Sequence, residues 1–280
     1  MRNERNGIPF EMCAFDLDGT LMRFDMTISD DTKDALAILR DSGLRVVLAT
    51  GRRYEGAREH AMRLGFGDDE PLVCYGGSMI RTIEGETFLK NTMPVEGALD
   101  IIEWAEGRGL HARIFMDEKL ITSPGTPAAL ANMANFVEDG VVVDESPRKW
   151  LEETREDPIK VTIVDSPGDV EEWLADAEKE FSDRFFVTRS LPHYVEIGAS
   201  DGMKSAALNF LCEKWDILPE RVMAFGDGEN DIDMLRFAGR GVAVGGMTEA
   251  VRDAADEIAA SVDEEGVARY IEGVLSGDAS

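Results

Sequence analysis

Short apolar runs alternate with stretches of helical periodicity toward both ends of the chain, and this alternation limits the possible folds more than any other feature. Short apolar runs between turn residues are buried strands. Strands that alternate with amphipathic helices build a parallel sheet with helical crossovers. The pattern predicts strands over 12–16, 44–49, 72–75, 221–225 and 241–244. Helices are expected over 54–64, 202–215, 231–238 and 267–275, and from Ser29 as N-cap to about 41, with Gly43 ending that helix.

The middle of the chain reads differently. It predicts a helix over 95–108, a hairpin of 110–115 and 120–122 around Asp117-Glu118, and a helix over 127–136. A strand over 159–164, a helix over 169–181 and strands over 184–188 and 194–197 follow. Gly85, Pro94, Pro192 and Gly198 punctuate the borders of this α+β unit. The expected fold class is therefore α/β: a Rossmann-like parallel-sheet core, 1–88 and 192–280, with an inserted α+β domain at 89–191.

The 280 residues, 44% of them hydrophobic, suffice for real cores. No apolar run reaches the roughly 18 residues of a membrane-spanning helix. Residues 1–9 lack an apolar signal core, so a cytoplasmic location is expected. Cys13, Cys74 and Cys212 are far apart and form no CxxC, which suits buried, reduced thiols. The net charge is -27, from 56 acidic against 29 basic residues. Such a field disfavours nucleic acid and anionic membranes as partners.

Four separated segments carry complementary chemistry. Asp16-x-Asp18 follows the first strand, Thr50-Gly51-Arg52 the second, and Gly226-Asp227-Gly228-Glu229-Asn230-Asp231 the strand over 221–225. Lys204 opens a helix. Three of the four lie at the carboxyl ends of parallel strands, where open α/β sheets bind ligands. Phosphate-ester hydrolysis sets a nucleophile against a repelling dianion, and Mg²⁺ can neutralise that charge. Asp16 and Asp227 offer carboxylates to such an ion, and a backbone carbonyl near Asp18 a further oxygen. One carboxylate can remain free to attack. Thr50 and its neighbouring amides suit phosphate oxygens, as does the point charge of Lys204. Asp18 is placed to act as general acid and then general base.

Blander readings exist for each part. Asp18-Gly19 alone is an ordinary turn, Thr50-Gly51 a strand-end turn, and Asp227 and Asp231 helix-capping residues. A calcium loop counted from Asp16 or from Asp227 lacks its glycine and glutamate. There is no GxGxxG and no GxxxxGK[ST]. His60, His111 and His193 have no metal-ligand spacing, and Trp104, Trp150 and Trp173 suit a core better than a substrate platform.

The four segments in this order, FDLDGTL (15–21), LATGR (48–52), Lys204 and GDGENDIDML (226–235), resemble the haloacid dehalogenase (HAD) superfamily of aspartate-based phosphatases. The long insert and the tail GVAVGGMTEAVRDAAD (241–256) resemble its Cof-type subfamily, which implies an α/β cap of type II, subtype B. The resemblance implies that Asp16 is the nucleophile of an aspartyl-phosphate and Asp18 the acid/base. It implies phosphate binding by Thr50, Gly51, Lys204 and Asn230. It implies an Mg²⁺ site of Asp16, Asp18, Asp227 and Asp231. Gly76-Gly77, Ser205 and Gly245-Gly246-Met247 depart from the subfamily's pattern at the pocket rim. The expected function is Mg²⁺-dependent hydrolysis of a small phosphorylated metabolite, such as a sugar phosphate or phosphorylated cofactor. The alternatives are a phosphomutase or phosphotransferase of the same superfamily and a phospho-accepting, receiver-like signalling protein.

Overall fold

The computed structural model describes residues 9–117, 119–123, 141–164, 170–191 and 194–276. The helix expected over 127–136 and His193 lie outside the described residues. The first sheet has eight strands, built from β1 (Met12–Phe15), β2 (Arg45–Ala49), β3 (Pro71–Cys74), β4 (Met79–Thr82), β5 (Thr87–Lys90), and, later in the chain, β12 (Val222–Gly226), β13 (Arg240–Val244) and β14 (Glu257–Ala259). Its order is β14-β13-β12-β1-β2-β3-β4-β5. The first six are parallel, and β4 and β5 run antiparallel at one edge.

Every residue of β1 is buried, as a strand covered by helices on both faces requires. Its alternate side chains enter two cores. Cys13 and Phe15 join Leu36 and Leu39 of α1 (Asp30–Asp41) and Ala57 of α2 (Tyr54–Arg63). Met12 and Ala14 face the helices that follow β11, described below. Phe15 stacks on Phe225 of β12 at 4.8 Å between ring centroids. Ser29 caps α1 by accepting from the Thr32 amide, as its sequence predicts.

The second sheet has six strands in the order β10-β11-β9-β6-β7-β8: β6 (His111–Phe115), β7 (Lys119–Thr122), β8 (Val141–Asp144), β9 (Lys160–Val164), β10 (Phe185–Leu191) and β11 (Tyr194–Ala199). It is antiparallel except for β7 with β8. One face carries Ala112, Ile114, Val161, Ile163, Val195 and Ile197. They pack with α3 (Val95–Glu106), α4 (Pro147–Thr154) and α5 (Val170–Phe181). Trp104, Trp150 and Trp173 lie against this cluster, in keeping with a packing role. The register puts Arg113, Phe115, Lys160, Thr162, Thr188 and Glu196 on the other face. That face leans on the first sheet: the Phe115 ring meets Tyr75 edge-on at 6.4 Å.

Two borders differ from the sequence reading. Gly85 does not separate units; with φ of 106° it lies between β4 and β5, an antiparallel pair in the first sheet. Tyr194–Ala199 pairs with both β10 and β9, so the expected border at 191/192 falls inside an antiparallel pair, and the second sheet runs on to Ala199. Beyond β11 come α6 (Lys204–Trp215), α7 (Ile232–Phe237), α8 (Glu249–Ala254) and α9 (Gly266–Ser276). Ala207, Leu208 and Leu211 of α6 and Met234 and Leu235 of α7 cover Met12, Ala14 and Val47. No described helix is long and apolar enough to cross a membrane.

Candidate active site

Parallel pairing places the chemical segments side by side. Phe15 is in register with Leu48 on one side and Phe225 on the other. The residues just after them, Asp16, Ala49-Thr50 and Gly226-Asp227, therefore leave the sheet at one edge. The Asp16 amide still donates to the Phe225 carbonyl at 2.9 Å, and the Thr50 amide to Val73 at 2.9 Å.

At this edge lies a buried ionic cluster. The Lys204 ammonium, fully buried, donates to Asp16 Oδ1 at 2.6 Å and to Asp231 Oδ1 at 2.5 Å. Asp231 Oδ2 accepts from the amides of Asp227 and Gly228, at 3.1 and 2.9 Å. Asp231 thus pins both the lysine and the loop that carries Asp227. Carboxylate oxygens of Asp16, Asp227 and Asp231 all lie within 4.8 Å of one another. Thr20 donates to Asp227 Oδ1 at 2.8 Å.

Burial pushes the Asp16 carboxyl well above its ordinary range. Lys204 opposes this shift, and the neighbouring aspartates reinforce it. Asp227 is pushed up to about 7, first by burial and then by the charge of Asp231, with the Thr20 hydrogen bond opposing. Burial by itself would lower the Lys204 pKa; the charges of Asp16 and Asp231 outweigh it and hold the group above its usual range. The cluster gathers three carboxylates around one cation, so negative charge is in excess. Three closely spaced oxygen ligands at a protein-lined edge are the donor set a hard divalent ion prefers. The residues present therefore fit Mg²⁺.

Two glycines are required by close approach. Gly19 has φ of 86°, and a Cβ there would lie 2.3 Å from Asp227 Oδ2. Gly77 has φ of 115°, and its Cβ would lie 2.1 Å from the Met203 carbonyl carbon, just before Lys204. The first lets the Asp16 loop close onto Asp227. The second lets the turn after β3 seat the start of α6.

Of the residues expected to act, Asp16, Lys204, Asp227 and Asp231 converge. Asp18 points elsewhere: Arg52 Nε and Nη2 clamp its two oxygens at 2.8 and 2.7 Å. Its side chain lies outside the three-aspartate cluster. Thr50 is fully buried, and its hydroxyl oxygen accepts from the Arg52 amide at 3.1 Å. Gly51 lies near the Asn230 amide, which lines a cleft between the two sheets with Tyr75, Lys160, Phe186 and Glu196.

Sequence reasoning passed over the roles of Arg52 and Thr20, although both stand inside the quoted motifs. Lys160 and Glu196 were passed over entirely. A readable signal existed: each is a charged residue inside an apolar strand, KVTIV and YVEIGA. Burial of a charge in such a run calls for a partner.

A model of the haloacid dehalogenase-like hydrolases matches residues 13–271. A 5-amino-6-(5-phospho-D-ribitylamino)uracil phosphatase of Bacillus subtilis (strain 168) is 30% identical over 274 residues, covering 97% of this chain and 98% of the relative. A pyridoxal phosphate phosphatase of Escherichia coli (strain K12) is 27% identical over 266 residues, covering 92% and 96%. Among solved structures, a haloacid dehalogenase-like hydrolase from Bacteroides thetaiotaomicron is 28% identical, with a TM-score of 0.79 and coverage of 95% and 99%. The chain belongs to the haloacid dehalogenase-like hydrolase family and is one of its phosphatases.

Proposed function

We propose that the protein is an Mg²⁺-dependent phosphomonoester hydrolase that acts on a small phosphorylated metabolite through an aspartyl-phosphate on Asp16. The observation that carries this reading is the buried cluster of Asp16, Lys204 and Asp231 beside Asp227. The two relatives above are named for small phosphorylated compounds, which supports the substrate class. A cytoplasmic setting goes with this reading, and three buried free thiols agree with it.

Asp16, Asp227, the Asp18 carbonyl and Asp231, directly or through its hold on the loop, would keep Mg²⁺ in place. The ion would offset the charge of the phosphate and of the three carboxylates. Asp16 attacks phosphorus, and the bond to the leaving oxygen breaks. Asp18 gives that oxygen its proton. Asp18 then takes a proton from water as the water attacks the aspartyl-phosphate, and inorganic phosphate leaves with Asp16 restored. Lys204, fixed by two carboxylates, holds Asp16 in one orientation and supplies positive charge to the phosphate. Thr50, Gly51 and Asn230 bind its remaining oxygens. For this chemistry Asp18 must exchange its clamp on Arg52 for the leaving oxygen. The unit built on the second sheet is the cap, which excludes water from the cleft.

Incubation with a panel of small phosphorylated metabolites tests this. Phosphate release from one or more members, lost when Mg²⁺ is chelated, is the expected result. Transfer of phosphate between positions with no net release would favour a mutase instead.

A second measurement reports on the metal. The Asp227 pKa is raised to about 7. A carboxyl whose folded pKa exceeds its unfolded one holds its proton longer in the folded state, so the metal-free protein loses stability as pH rises toward that value. Mg²⁺ replaces the proton as the charge partner. The rise in melting temperature on adding Mg²⁺ should therefore be greater at about pH 8 than at about pH 6. Asp227→Asn should reduce that difference. A rise independent of pH in the unsubstituted protein would contradict this ligand set.

A further inference from the structure

The cap must part from the core for a substrate to enter. The cleft between them, lined by Tyr75, Lys160, Phe186, Glu196 and Asn230, is a cavity of about 20 Å³. That volume holds about one water molecule and no phosphate ester. The structure therefore shows the cap closed, held by its contacts with the core.

Ion pairs join the two units in two places. The first is beside the linkers. Asp117, in the turn between β6 and β7, accepts from Arg81 at 2.9 Å and from Lys90 at 3.0 Å, and Tyr75 donates to its carbonyl. Lys90 is followed by Asn91, which opens the first linker. The Asn91 amide donates to Ser78 at 2.7 Å, and its side chain to the Asp201 carbonyl, in the second linker, at 3.3 Å. Contacts this close to a hinge move little when the cap turns about it.

The second place is far from the hinge. Arg189 stands on the edge strand β10, three strand spacings from β6, or about 14 Å. It pairs with Val195, and β11 runs on from there to Ala199, so the second linker begins about 13 Å farther along the strand. Arg189 Nε donates to Glu229 Oε2 at 3.0 Å, and Nη2 donates to Glu229 Oε1. A guanidinium on both oxygens of one carboxylate is a strong and directional form of ion pair. Lys160 Nζ, paired with Glu196 Oε2 at 2.6 Å, also reaches the Gly51 carbonyl at 3.3 Å, but a neutral acceptor at that distance adds less.

The core end of this second contact lies in the catalytic loop. Glu229 opens the single turn Glu229–Asp231. Asp231 accepts from the amides of Asp227 and Gly228, so the turn and the residues before it move as a unit. A grip on Glu229 thus sets where Asn230 faces the cleft.

We propose that Arg189 is a positioning residue of the reaction: through Glu229 it clasps the closed cap to the loop of Asp227 and Asn230, and the clasp opens for each substrate to enter and each phosphate to leave. Its role in turnover rests on the phosphatase reading above; the clasp itself rests on the fold alone.

Energy transfer between two dyes tests the clasp with Mg²⁺ present. The dyes go on Glu178→Cys in α5, which packs on β10, and on Glu249→Cys in α8, which adjoins the turn of Glu229. Both positions are exposed, and Cys13, Cys74 and Cys212 are buried. Arg189→Met should lower transfer, with the ratio of open to closed forms rising about fivefold or more. Arg189→Lys keeps the charge but loses the fork, so its shift should be smaller. Glu229→Gln should act like Arg189→Met, and the double variant should go no further than either alone, because both remove one contact. The pair is about one-fifth exposed, so salt should lower transfer in the unsubstituted protein and have little effect in Arg189→Met. The KM for p-nitrophenyl phosphate should rise with the open form by about the same factor, because the closed form that binds is rarer, and kcat should change less. Melting curves confirm that each variant is folded. Transfer that no variant moves, or shifts that add in the double variant, overturns the clasp while turnover of p-nitrophenyl phosphate upholds the phosphatase. Shifts as expected with no phosphate release from any ester would overturn the phosphatase reading and leave the clasp standing.

Discussion

Asp16→Asn should abolish phosphate release, by about a thousandfold or more, without loss of the fold. The amide is nearly isosteric but is not a nucleophile toward phosphorus at neutral pH. Stability should respond in the opposite sense to activity. Asp16 is buried among like charges that push its carboxyl well above the ordinary range. Removing that charge lifts a desolvation cost and one repulsion toward Asp227, and Lys204 keeps Asp231 at 2.5 Å. The metal-free variant should therefore melt no lower than the parent. Mg²⁺ should raise its melting temperature less, because one ligand charge is gone. Retention of activity to within about tenfold would remove Asp16 from the mechanism.

Lys204→Met should cost both activity and stability. The lysine is fully buried and its ammonium is held by two carboxylates. Methionine fills most of the volume but leaves Asp16 and Asp231 buried without their cation. Removing one partner of a buried ionic group costs about 3–5 kcal/mol, against near zero to about 1 kcal/mol for an exposed pair. For a chain of this size that corresponds to a melting temperature lower by roughly 10 °C. The deficit should depend on pH. With Lys204 gone, Asp16 loses the positive charge that opposes its upward shift, so its pKa rises further. A raised carboxyl pKa costs stability as pH rises through it, and the cost fades as the group is protonated. The gap from the parent should thus be wider at about pH 8 than at about pH 5.5, by differential scanning calorimetry. A gap that is constant with pH would mean that Lys204 acts by packing alone.

These two residues also differ in how legible they were. Asp16 is marked by its own neighbours: an apolar strand precedes it, and Asp18, Gly19 and Thr20 follow. Lys204 has no such surroundings, and its assignment rested on resemblance to a family. Its partner Asp16 lies 188 residues away, which no local pattern encodes. Arg52 was visible in its motif, yet its clamp on Asp18 was not, because the two are joined across 34 residues by the pairing of β1 with β2. The hairpin of β4 and β5 was missed for a related reason. Its strands are short, and a glycine at positive φ marks a tight turn as readily as a domain border. In α4 the signal was present and unused: Ser146 caps the helix and Pro147 begins it.

The sequence by itself determined the strand–helix alternation, the cap of α1, and which residue types stand at the carboxyl ends of β1, β2 and β12. These depend on side-chain periodicity and on turn chemistry within a few residues, both of which are local. Only the tertiary structure decided that β11 completes the second sheet, that Asp18 lies on Arg52, and that Lys160 and Glu196 face the core as a pair. Each of those depends on strand register, and a shift of one residue in register turns every side chain to the opposite face. Register is fixed by what the whole sheet buries, so it exists only once both cores have closed.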